Sequence, residues 1–110
     1  MMERITLRAT HRNEELEIAL GFRLNEAYAV RIAGINVMDQ LPFYGVLTRV
    51  DLCRWSNGKI RIEKVTLEDG LVGPERSYFA KEHISGSAIV SIGRLPNPDA
   101  FYKHRDHITK

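Results

Sequence analysis

The feature that most constrains this chain is a pair of long alternating stretches, residues 43–55 and 59–68, joined by Ser56-Asn57-Gly58. Apolar residues at every second position make a strand with one buried face. Asn-Gly accepts the positive φ angles that a tight hairpin turn demands. The alternation slips inside both stretches. Val46 is in phase with Val50 and Leu52, whereas Leu47 belongs to the other face; Ile60 and Ile62 are in phase, and Val65 and Leu67 fall out of step with them. A flat sheet keeps one phase, and a slip is the trace of a bulge or sharp bend. Two neighbouring bent strands predict a mostly β domain curled into one small barrel.

Shorter strands are expected at 27–33, 76–84 and 87–93, with loops at 34–42 and 69–74. The segment Ile84-Ser85-Gly86-Ser87-Ala88-Ile89 reads as a Gly-centred turn that closes the last strand pair. Near the start, Ile5, Leu7 and Ala9 point one way and Thr6 and Arg8 the other. Leu16, Ile18, Leu20, Phe22 and Leu24 repeat the pattern, which favours a hairpin turning at residues 11–14. A short helix is the alternative. Leu16, Ala19, Leu20 and Leu24 form a helical stripe, Asn13 stands where an N-cap would, and two glutamates follow in the first turn. Gly21 argues against that helix at about 1 kcal/mol relative to Ala.

At 110 residues, 44% apolar and 27% charged, the chain is one globular domain, residues 1–95, followed by a polar tail at 96–110. A net charge of +2 permits contact with nucleic acid without demanding it. The single cysteine, Cys53, allows no intramolecular disulfide, and neither a signal peptide nor a membrane span is legible, so a cytoplasmic location is expected.

Two segments resemble the motifs of the Sm and Sm-like (LSm) proteins. Phe43-Tyr44-Gly45-Val46-Leu47-Thr48-Arg49-Val50-Asp51 is similar to their first motif, apolar-x-Gly-x-Leu-x-x-apolar-Asp. Ile84-Ser85-Gly86-Ser87-Ala88-Ile89-Val90-Ser91-Ile92 matches the apolar and glycine positions of the second. Val65-Thr66-Leu67-Glu68-Asp69 resembles the third strand, and the likeness covers residues 27–93. It implies a five-stranded Sm-like or SH3-like barrel behind an N-terminal hairpin or short helix. It also implies rings in which the fourth strand of one subunit pairs with the fifth of the next, here 76–84 with 87–93. The implied function is a non-catalytic, homo-oligomeric assembly protein that binds RNA or a nucleoprotein partner. Asp51, Ser85 and Gly86 fall on the family's RNA-contacting positions. Trp55 stands where RNA-binding members carry Asn, and Ser85 where they carry a cation. These departures favour the alternative of a protein-interaction module without a nucleic-acid role.

Read from the residues themselves, the best single-stranded RNA candidate is Trp55 with Arg54, Asn57, Lys59 and Arg61, since an aromatic ring can stack on a base while flanking cations hold phosphate. A Trp capping the barrel with its cations in water is the plainer reading. His104 and His107 are spaced His-x-x-His without a nearby cysteine, so a solvated basic tail is expected and no metal. Cys53 with His83 or His11 is a conceivable nucleophile and base, but no complete catalytic set is legible and no cofactor is expected.

Overall fold

The computed structural model describes residues 1–34 and 40–109. Six strands run through them in chain order: β1 (Met2–Arg8), β2 (Ala27–Ala33), β3 (Gln40–Trp55), β4 (Ile60–Val72), β5 (Ser77–Ser85) and β6 (Ile89–Arg94). Helix α1 (Glu14–Leu20) follows β1, a 3-10 turn (Gly86–Ala88) joins β5 to β6, and α2 (Pro98–Thr109) ends the chain. All pairings are antiparallel within one sheet of order β5-β4-β3-β2-β6.

The organising element is β3. Its sixteen residues use one edge twice, pairing β2 along residues 40–46 and β1 along residues 49–55, while its other edge carries β4. Register shifts fall at three places in the β3–β4 ladder, between Tyr44 and Val46, Leu47 and Arg49, and Asp51 and Leu52. The expected phase slips are therefore bulges. Thr48 is the extra residue on β3, which puts Leu47, Val50 and Leu52 all into the core, so Leu47 rather than Val46 shares their face. On β4 one extra residue is Glu63, which returns Val65 and Leu67 to the core side, and a second falls at residues 69–70, opposite Gly45.

The sheet is open, which corrects the expected five-stranded barrel. Among the described residues β5 and β6 do not pair with each other, and the sheet holds a sixth strand, β1. Nor does the Gly-centred turn close a strand pair. Its three residues carry the chain from one end of the sheet order to the other, because β6 pairs with β2. So short a link means that the sheet curls until its ends come near, without closing. Gly86 is required there by proximity and not by positive φ: a Cβ would overlap the carbonyl of Ile62.

Residues 14–20 form a helix, not the second arm of a hairpin. Asn13 accepts a hydrogen bond from the Leu16 N–H at 3.2 Å, and Gly21 ends the helix in the left-handed region at φ 82°. The glycine that weighed against a helix is its C-cap, where a missing Cβ is an advantage. Residues 40–42 belong to β3 rather than to the expected loop, whose positions 35–39 lie outside the described residues. Strand β4 runs on to Val72 through Asp69, at φ 51°, so the 69–74 loop shrinks to the Gly73–Arg76 turn.

The core is one cluster built from β1, the residues after α1, and β2 to β5, including Leu7, Leu24, Val30, Leu47, Val50, Leu52, Val65 and Leu67. A smaller cluster, Ala27, Leu71 and Phe101, seats α2 on the sheet. The expected polar tail is thus a packed helix. Phe101 supplies its anchor, and Arg105 lies over Tyr102 and Phe101 and donates to the Asp69 carbonyl at 3.2 Å. No helix among the described residues is long and apolar enough to cross a membrane.

Candidate functional site

The tip of the β3–β4 hairpin holds most of the sequence candidates. Trp55 N–H donates to the Lys59 carbonyl and Gly58 N–H to the Trp55 carbonyl, both at 2.9 Å. Only Gly58 takes positive φ, at 87°. This is a tight turn followed by a left-handed glycine, and Asn57 contributes by accepting from the Lys59 N–H at 3.0 Å rather than by adopting positive φ. Arg61 lies 5.7 Å from the Trp55 ring centroid, a cation–π distance. Trp55 also borders a shallow depression with Met1, Met2, Glu3, Arg54 and Gly58.

The cations of this tip are largely engaged. Arg54 donates to Glu3 at 2.7 Å and Arg61 to Glu63 at 2.8 Å, leaving Lys59 without an ion pair among the described residues. Glu63 accepts a second hydrogen bond from the Cys53 thiol at 3.0 Å. Arg61 first, and then the thiol, hold the Glu63 carboxyl below its ordinary range, and the bond to Glu63 pushes the buried Cys53 thiol up. A protonated thiol donating into a carboxylate is the reverse of an activated nucleophile. Cys53 meets neither histidine proposed as its base: His83 Nδ1 sits 2.8 Å from the Thr66 hydroxyl, and His11 Nδ1 bonds Thr10.

Asp51 lies farther along β3. Its carboxylate accepts from Thr6 at 2.7 Å and from both Arg49 donors at 3.0 and 3.2 Å, with Lys64 at 3.9 Å. Partial burial opposes ionisation, but Arg49 and Thr6 outweigh it and hold the group below its ordinary range. Ser85 shares Asp51's row, since both pair with Lys64, but stands two strands away, roughly 10 Å by strand spacing. Ser85 Oγ lies 2.9 Å from Ser87 Oγ, and both serines line a hollow with Gly86, Arg61 and Glu63. Six candidates therefore lie on the β3–β4 hairpin and two, Ser85 and Gly86, beside it at the end of β5, with Arg61 bordering both Trp55 and Ser85, and Asp51 apart.

Two polar features escaped the sequence reading. Glu17 on α1 is 1% exposed and takes two hydrogen bonds from Arg12, at 2.8 and 2.9 Å, and a third from the Leu24 N–H at 3.1 Å. These bonds, led by those from Arg12, overcome burial and hold its carboxyl below the ordinary range. A glutamate on the wet side of a strand pattern gives no sign of this; only the helical alternative brings it beneath Arg12. The second feature is a cleft where α2 leans on the sheet, bordered by His104 and by Arg76 of the β4–β5 turn. His107 is not part of that lining, and among the described residues no group of three His, Cys, Asp or Glu side chains could hold a metal ion.

No family model matches the chain, and no curated protein matches it.

Proposed function

We propose that this protein is a non-catalytic interaction module that assembles with further copies of itself through the two open edges of its sheet. The observation that carries this reading is that, among the described residues, β5 and β6 each pair on one side only. An unpaired edge presents backbone N–H and C=O groups that another strand can satisfy. The two edges differ in sequence, so joining β5 of one copy to β6 of the next is head-to-tail, and it closes into a ring or grows into a filament. Val90 on β6 is 51% exposed and gives that edge an apolar residue to bury. The same strands, with bounds one or two residues later in the chain, are those that the Sm-like resemblance assigns to subunit contacts.

Light scattering coupled to gel filtration across the micromolar range tests this reading. The expected mass is a multiple of the monomer, and Val90→Lys returns the chain to monomer with unchanged thermal stability, because a charge blunts an edge without touching the core. A monomer at every concentration overturns it.

RNA is a second reading, favoured by the stacked Trp55 and Arg61. The carboxylates already paired with Arg54, Arg61 and Arg49 weigh against it. A labelled single-stranded oligonucleotide separates the two. Binding that weakens steeply with salt and is lost in Trp55→Ala supports RNA as the partner of the assembly, and no binding at low salt leaves a purely protein-binding module.

A further inference from the structure

The wedge between α2 and the sheet encloses a cleft of about 190 Å³. Leu71 and Phe101, both buried, form its floor, and Tyr44, Leu95 and Ala100 its walls. Its polar lining includes Arg76, Asn97 and His104 and no carboxylate; Glu75, Asp99 and Asp106, the acidic residues nearest them in sequence, lie outside it. Neither Arg76 nor His104 forms an ion pair among the described residues. This contrasts with the arginines at the hairpin tip.

Arg76 carries a further mark. It sits at φ 55°, where residues with a Cβ are rarely found. Glycine would occupy that turn position without strain, so what arginine adds is its guanidinium at the cleft. Backbone strain retained beside a concave site is a recurring property of ligand sites.

We propose that this cleft binds a small organic carboxylate with a compact apolar body. The body lies against Leu71 and Phe101, and the carboxylate accepts hydrogen bonds from Arg76 and His104. A guanidinium fork matches a carboxylate in shape and charge, and apolar walls with a few convergent donors are how small-molecule sites achieve orientation. The volume is below the usual range for drug-sized ligands, which limits the occupant to about one ring or a short branched chain.

Titrating the full-length, isotope-labelled chain with phenylacetate, phenylacetamide and acetate, followed by NMR, tests the assignment. Phenylacetate saturates, with shifts centred on Leu71, Arg76 and residues 95–104. Phenylacetamide, which lacks the charge, and acetate, which lacks the ring, each bind roughly tenfold or more weakly. Arg76→Gly loses the same factor while its melting temperature holds or rises, because the strain is relieved. Ala100→Phe, which fills the cleft from an exposed position, abolishes binding. Val90→Lys binds phenylacetate as the native chain does, so the site stands or falls separately from assembly. Equal affinity for the amide, unchanged binding by Arg76→Gly, or shifts centred elsewhere would each overturn the proposal.

Discussion

Glu17 and Asp51 are both carboxylates gripped by an arginine fork, one beneath α1 and the other on the open face of the sheet. Their hydrogen-bond lengths are nearly the same. Their surroundings are not. Glu17 is 1% exposed and also satisfies the Leu24 backbone, whereas the Asp51 side chain is 20% exposed and its Arg49 partner 38%. In the first place the ion pair holds a helix, a loop and a strand entry together, and although water reaches Arg12, whose side chain is 32% exposed, it cannot replace the bonds made by the buried Glu17 and the Leu24 amide. In the second, water can. The same chemistry is therefore structural in one region and nearly incidental to stability in the other.

The largest expected effect breaks the buried member. Glu17→Ala leaves the Leu24 amide unpaired and Arg12 without its fork, and should cost about 3 kcal/mol in chemical denaturation. The comparison sharpens with pH. Glu17 has a folded-state pKa below its unfolded one, so its stabilisation is fully present above the ordinary carboxylate range and is lost as pH falls through the depressed folded value. Glu17→Gln should flatten the acid limb of the stability–pH curve, and Asp51→Asn should flatten it by less, since that pair is more open to water. Next in size is Asn13→Ala, which removes the α1 cap and should cost about 1 kcal/mol. Smallest is Asp51→Ala, at about 0.5 kcal/mol or less, since exposed pairs contribute little. A loss at Asp51 as large as that at Glu17 would show that the sheet face is covered in solution, as the assembled state requires if that face joins the interface.

Strand positions are legible in the sequence at residues 43–55 and 59–68, where the slips at Leu47 and Val65 mark bulges. What remained hidden has physical reasons. The segment from Leu16 to Leu24 fits both periods, and the choice fell to Asn13 and Gly21, whose capping roles are visible only once the helix exists. Sheet closure is a long-range property: no local signal says whether β5 meets β6. Charged residues near Trp55 stood out as a site because charge is legible and pairing is not; Glu3 lies far from Arg54 in sequence but opposite it in the β1–β3 register. Arg76 and His104 attracted no attention as a pair because one occupies a turn and the other a segment that read as solvated.

The pairing of β2 with β6 also sets an order in time. During synthesis β2 leaves the ribosome long before β6, after β3, β4 and β5 have been made, and it folds against β3 with its outer edge bare. Throughout that interval a matching strand exists on a finished neighbour, where it must first leave its own β2. Copies translated side by side on one message are thus exposed to exchange of their last strand, and slowing the ribosome after residue 85 should raise the yield of interlocked dimers.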